Sequence, residues 1–386
     1  MNILFWTLIS PVLYTYLIYP LVTIALGKRK EGNNELFSLD EIPSISILIA
    51  AYNEELVIEN KLKSILKSDF PIDKYEIIIG TDYCSDRTDV IVEEYAKKNE
   101  HIKHIKFNTR SGKIKIVNSL AELATGELLI ITDANVFFTE KTMESLTRQF
   151  RNKSIGLVDS NMKNYGMKTS GISIPEKTYI SIEGKLKNAE GKLWGTMMGP
   201  FGGCFAIRKS LFTKIPEHYL VDDFYINMNI LQKGYLCINE PNAIVYEDVS
   251  NDLRLEFNRK LRISAGNFQN LAHFAGILLK CNRISFTFLS HKILRWLTPF
   301  FILFSGIVLI FIFNDSMLNF GVFMAYLAIL GIVLLDLLLL SLGVHFKLFR
   351  YLTHFISMNT ALFIGFFKYL KGTKSSIWKR TERLQQ

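Results

Sequence analysis

Two acidic clusters are the residues in this chain best suited to chemistry. Thr132-Asp133-Ala134-Asn135 follows the apolar run Leu128-Leu129-Ile130-Ile131, and Val221-Asp222-Asp223-Phe224 comes about 90 positions later. An acid at the carboxyl end of a buried strand can hold a divalent cation and, through it, a diphosphate, with Asn135 adding a neutral oxygen. A second acid can take the proton of an attacking hydroxyl if burial lifts its pKa toward neutrality. Each cluster also has a plainer reading. Asp and Asn are common where a strand turns into a loop, and paired acids at a helix start complement its dipole. The motifs by themselves leave both readings open.

Other positions extend the set. Asp82, after a second strand pattern, can accept hydrogen bonds from a nucleobase or ribose; alternatively it opens a turn into Cys84-Ser85-Asp86, where Asp86 suits a helix cap. Lys113 in Arg110-Ser111-Gly112-Lys113 can meet phosphate or base, or lie solvated at a helix start. Gly199-Pro200-Phe201-Gly202-Gly203-Cys204 lacks the Lys-Ser/Thr ending of a nucleotide P-loop. Gly202 and Gly203 would let backbone approach an acceptor closely, or form a simple turn. Arg259 and Arg262 fall on one helical face and can clamp phosphates in bidentate fashion, or attract lipid headgroups as Lys260 would. The four cysteines lack metal-ligand spacing and read as free thiols of a reducing compartment. His101 and His104 read as solvent-facing.

These residues need a sheet to position them, and the central part of the chain predicts one. Strand patterns at 45–50, 75–80, 104–107 and 128–132 alternate with helical spacing at 54–67, 88–98 and 113–125, with Gly126 as a helix stop. That alternation predicts an α/β domain with a mostly parallel, covered sheet, whose ligands sit at the carboxyl ends of the strands. Tyr52, Asp82 and Asp133 occur there.

Hydrophobic residues make up 49% of the 386, and mean hydropathy is +0.19, with the excess at the two ends. Residues 3–26 are long enough to cross a bilayer core of roughly 30 Å, and no small-residue cleavage pattern follows, so a retained anchor is expected. Lys28, Arg29 and Lys30 then place the next domain in the cytoplasm. Residues 272–291 read as a helix lying in the interface. Residues 293–313 and 317–344 read as spans, the second carrying a costly Asp336. Residues 351–367 are less apolar and read as interfacial or re-entrant, with a fourth span as the alternative. The expected divisions are 1–27, 28–257, 258–292, 293–370 and a basic tail, 371–386. The net charge of +9 fits an anionic membrane surface or phosphate-bearing ligands. Nucleic acid is not expected, because basic residues and aromatics do not interleave in a stripe.

The motifs resemble, in their order, those of the membrane-integrated family-two glycosyltransferases, the group holding hyaluronan, chitin, cellulose and poly-N-acetylglucosamine synthases. The ordered set is Ala50-Ala51-Tyr52-Asn53-Glu54-Glu55, Asp82, Thr132 to Asn135, Gly199 to Arg208, Val221 to Phe224 and Arg259-Lys260-Leu261-Arg262, with Tyr14 to Leu21 in the first span and a late Trp378, Thr381 and Arg383. The resemblance implies a GT-A (Rossmann-like) cytoplasmic domain with α-helical transmembrane segments. It also implies a UDP-sugar donor, Mg²⁺ or Mn²⁺, and a polysaccharide or lipid-linked acceptor at the inner membrane, among membrane lipids. Carried over by position, Ala51, Tyr52, Glu54, Asp82 and Lys113 would line the nucleotide. Asp133, with Asn135, would hold the metal diphosphate. Arg259 and Arg262 would hold the pyrophosphate, Gly202, Gly203 and Asp222 would meet the acceptor, and Asp223 would be the base of an inverting displacement. Two departures stand out. The acidic motif ends in Asn135 rather than Asp, and the stretch Arg259-Lys260-Leu261-Arg262-Ile263 lacks the Gln and Trp that the family associates with holding a polymer.

Overall fold

The computed structural model describes residues 1–165, 173–248, 253–344 and 346–372. Trp378, Thr381, Arg383 and nearly all of the expected tail 371–386 lie outside the described residues. The chain forms two compact units. One comprises Ile24–Met167 and Ile180–Val249; the other comprises Met1–Thr23, Lys168–Tyr179 and Ser250–Gly372.

Among the described residues, the first unit is built on eight strands: β1 (Ile45–Ala51), β2 (Tyr75–Asp82), β3 (Ile102–Phe107), β4 (Leu128–Asp133), β5 (Val136–Phe138), β6 (Ile155–Tyr165), β7 (Cys204–Arg208) and β8 (Leu236–Asp248). They pair in the order β3-β2-β1-β4-β7-β6-β8-β5. β1 is parallel to β2 and β4, and β2 is parallel to β3. β7 then runs antiparallel between β4 and β6, and β6 is parallel to β8. Ile47, Leu48, Ile49 and Ile77 to Ile79 are fully buried, as parallel strands covered on both faces must be. This is the expected GT-A-like, mostly parallel architecture, but β5 to β8 add antiparallel pairings that the alternation in 45–132 did not foreshadow.

Element boundaries moved where local chemistry overrode periodicity. The first helix begins at Ile58 rather than Glu54, because Asn53 adopts φ 52° and Glu54–Val57 closes a turn through Val57 N to Glu54 O at 3.0 Å. His104 is not solvent-facing; its Nε2 bonds Thr81 Oγ1 at 2.9 Å. Gly126 is not a left-handed helix stop, since the helix Lys113–Leu123 ends in an extended Ala124. Its role is close approach: a Cβ there would lie 2.6 Å from the backbone C of Ile45 and N of Ser46.

Among the described residues three helices are long and apolar enough to cross a membrane: Asn2–Gly27, Arg283–Ile312 and Met317–Ser341. The expected interfacial helix 272–291 is not one element. Helix Leu253–Phe274 ends, a short 3₁₀ turn Ala275–Lys280 follows, and Cys281 takes a left-handed conformation (φ 44°). A new helix starts at Arg283, with Asn282 as its capping residue, and runs into the span. Residues 351–367 lie within one unbroken helix, Lys347–Leu370, so the chain does not turn back there. Asp336 is fully buried and is answered from that helix by Thr353 Oγ1 at 2.6 Å and Arg350 Nε at 3.5 Å.

Gly126→Ala has no side-chain neighbour to push aside, only strand backbone. It is expected to destabilise the sheet unit by about 1–3 kcal/mol, read as a lower thermal midpoint at unchanged helix content; an unchanged midpoint would remove the close-approach assignment.

Candidate active site

The site lies at the carboxyl edge of the sheet. β4 delivers Asp133 there, with its side chain 31% exposed. Lys113, the first residue of helix Lys113–Leu123, reaches Asp133 Oδ1 at 2.7 Å and Asp222 Oδ2 at 3.7 Å. This is not the solvated lysine that the sequence also allowed. Burial disfavours its charge, but Asp133 and Asp222 more than compensate and hold its pKa up. Asp222 and Asp223 open helix Asp222–Gln232. Burial, and then the charge of Asp222, push Asp223 up to about 7, while hydrogen bonding from Phe224 N and the charges of Lys113 and Lys187 pull the other way. Both acids stand in the first turn of that helix, as the plainer reading requires. One acid of the pair is held near neutrality, as a general base requires.

The glycine loop closes over this group. Gly202 has φ +78°, and a Cβ on it would stand 2.5 Å from Asp223 Oδ2. Gly203 O accepts from Asp133 N at 3.0 Å and Thr132 Oγ1 at 2.9 Å. The loop before β7 is thus bonded directly to the end of β4. Asn227 secures its start, accepting from Gly199 N and donating to Met197 O, each at 3.1 Å.

Asp82 is engaged by the loop that follows β3. It is 1% exposed, and its oxygens accept from Ser111 N at 2.6 Å and Gly112 N at 2.9 Å and pair with Arg110. It shapes the Arg110–Gly112 loop rather than presenting its own carboxylate. Arg110 lies over the Tyr52 ring, 3.4 Å from its centroid, so Tyr52 and Arg110 form one stacked surface next to Lys113. Ala51 is buried at the end of β1, and Glu54 N is bonded to Thr88 Oγ1 at 2.7 Å. Asn135 is 5% exposed, with its amide directed to Glu247 Oε1 at 3.3 Å. Among the described residues, no group of three or more His, Cys, Asp or Glu is arranged to hold a metal ion. Arg259 and Arg262 belong to the helical unit, on helix Leu253–Phe274, where Arg259 Nη1 lies 3.5 Å from Glu256.

Several supporting residues escaped the sequence reading. Lys61 is fully buried and donates to Thr132 Oγ1 at 2.9 Å and to Val136 O, so it clasps both flanks of Asp133-Ala134-Asn135. Burial lowers its pKa to about 7 against the pull of Cys204 and Asp133. A signal existed, since Lys61 falls on the apolar stripe of Ile58, Leu62 and Ile65 at helical spacing. Asp159 in an apolar strand and Lys187 flanked by Glu183 and Glu190 were equally visible and were not read.

Residues 46–215 match the family described as Glycosyl transferase family 2, and residues 189–342 match Glycosyl transferase family group 2. The chain belongs to the family-two glycosyltransferases. It is 26% identical over 297 residues to the "Probable glycosyltransferase YdaM" of Bacillus subtilis, covering 72% of this chain and 68% of that one. It is 24% identical to the poly-beta-1,6-N-acetyl-D-glucosamine synthase of Staphylococcus epidermidis, covering 67% of this chain and 63% of that one. It is also 24% identical to the beta-monoglucosyldiacylglycerol synthase of Trichormus variabilis, covering 62% of this chain and 52% of that one. The chain thus spans between about half and two thirds of these relatives' length. Among solved structures, the mannosyltransferase PcManGT of Pyrobaculum calidifontis, in complex with GDP-Man and Mn²⁺, superposes with a TM-score of 0.71 at 20% identity. That match covers 95% of this chain and 99% of that one, and it supports the fold.

Gly202→Ala forces a methyl toward Asp223 from a backbone conformation that disfavours side chains. The expected result is at least a tenfold lower transfer rate with donor affinity unchanged, measured by isothermal titration beside turnover; equal losses in both would place the effect elsewhere.

Proposed function

We propose that this protein is an inverting membrane glycosyltransferase that moves a sugar from a UDP-sugar to a hydroxyl of a growing polysaccharide, giving a β-linked product. Its catalytic unit would face the cytoplasm at the inner membrane. The observation that carries this reading is the shared ammonium of Lys113. It touches Asp133, at the diphosphate end, and Asp222, next to the base, so the two halves of a displacement meet within one residue's reach.

In this reading Asp223 accepts the acceptor's proton as its oxygen attacks the anomeric carbon, while Lys113 stabilises the charge gathering on the leaving diphosphate. Tyr52 and Arg110 offer a flat, cationic surface to the nucleotide. Asp133, a partly exposed carboxylate at a strand end, fits the one or two protein oxygens that Mg²⁺ or Mn²⁺ takes when phosphates and waters complete its shell; Asn135 stands beside it. When bound, such a cation supplies Lewis-acid stabilisation of the leaving group.

A second reading, single addition to a lipid-linked acceptor, is favoured by the stretch 259–263, which lacks Gln and Trp. Product sizing after incubation with labelled donor separates the two, a ladder supporting polymer synthesis and a single band supporting single addition.

Asp223→Asn is expected to lower nucleotide release by about 10²–10⁴-fold with donor binding retained; robust turnover by the variant removes the base assignment. Because the base must be deprotonated, the wild-type rate should rise with pH through about 7. A panel of UDP- and GDP-sugars, each assayed with Mn²⁺, Mg²⁺ and chelator, is expected to show UDP-sugar turnover that chelator abolishes. Turnover with a GDP-sugar alone would reassign the donor, and undiminished turnover in chelator would remove the metal.

A further inference from the structure

Beneath the glycine loop lies a buried ion pair that the chemistry above does not use. Lys187, on helix Ser173–Trp194, donates to Asp159 Oδ2 at 2.9 Å, and the two side chains are 1% and 0% exposed. Two charges withdrawn from water lose more than their attraction returns unless further hydrogen bonds satisfy them. Here those bonds lead to the loop. Asp159 Oδ1 accepts from the backbone N–H of Phe201 at 3.3 Å, and Asn239 Nδ2 donates to Oδ2 at 3.3 Å. Lys187 Nζ lies 3.3 Å from the centroid of the Phe201 ring. The next residue is Gly202, whose missing side chain makes room for Asp223.

We propose that Lys187 and Asp159 are positioning residues for the proton transfer, fixing the Phe201–Gly202 segment against Asp223 and placing a buried ammonium behind it. The proposal rests on the reading of Asp223 as the base. Among the described residues, charge acts on Asp223 from Asp222 on its own helix, from Lys113 on helix Lys113–Leu123 and from Lys187 on helix Ser173–Trp194. Burial and Asp222 raise its proton affinity, and the two lysines hold that rise in check. An apolar pair of the same volume would pack under the loop, but it would offer no acceptor to Phe201 N and no positive charge to Asp223.

The test uses the full chain in detergent or nanodiscs as Lys187→Met, Lys187→Arg and the double variant Asp159→Asn/Lys187→Met, which leaves no buried charge unpaired. Each is made with and without Asp223→Asn, and the apparent thermal midpoint is followed across pH. A carboxyl whose pKa rises on folding contributes stability that is complete below its unfolded value and lost as pH climbs through its folded one, about 7 here. The Asp223-dependent loss should move to higher pH by about half a unit or more in Lys187→Met and in the double variant, and stay in place in Lys187→Arg. The acid limb of the pH–rate profile should move with it, with acceptor KM raised and donor KM within about twofold. A midpoint lowered equally at every pH, with the Asp223-dependent window unmoved, would reduce the pair to scaffolding and overturn the proposal. Absence of transfer by the wild-type chain with every donor would instead defeat the functional reading, while the thermal window would still report on the coupling.

Discussion

The site depends on one ammonium placed among three carboxylates. Lys113 lies 2.7 Å from Asp133 and 3.7 Å from Asp222, with Asp223 next along the helix. Without that positive charge, the end of β4 and the start of helix Asp222–Gln232 would repel each other. With it, two segments about 90 residues apart share one locus. The arrangement needs the sheet to change direction. Because β7 runs antiparallel beside β4, the loop that precedes β7 emerges where β4 ends, and Gly203 O bonds to Asp133 N. A purely parallel sheet would have put that loop at the opposite edge.

The loops around the site are mounted on buried charge rather than on apolar packing alone. Lys61 ties Thr132 to Val136 O. Asp82 ties Ser111 to Gly112. Asp159 and Lys187 hold Phe201. Each such group is expensive to bury and becomes tolerable only when its partners are fixed in direction. That requirement is useful at a reaction centre, where a backbone shift of a fraction of an ångström changes which atom faces the substrate.

The helical unit follows the same logic in an apolar setting. Helix Met317–Ser341 is apolar apart from Asp336 and a few weakly polar residues, and a carboxylate at that depth must find a partner. Thr353 and Arg350 provide it. Helix Lys347–Leu370, which carries them, is less apolar than the three helices of span length found among the described residues. Two of its polar positions, Thr353 and Arg350, serve a neighbouring helix.

Much of this was legible in the sequence because it is local. The strand-helix alternation of 45–132 follows from periodicity, and Asp133 at the end of an apolar run has to appear at the sheet's carboxyl edge. Three stretches of sufficient length and apolarity mark helices that are long enough to cross a membrane. The sequence could not tell Asp223 from Asp222, since both fit a helix start, nor whether Asp82 faces a ligand or its own loop. Those outcomes depend on burial and on partners far away in the chain: Gly202 against Asp223, Ser111 and Gly112 against Asp82. Residue type and spacing determined which groups were available for chemistry. Only the tertiary structure decided that Asp223 is buried beside another acid and has its pKa pushed up, because desolvation and neighbouring charge arise from packing and not from sequence order.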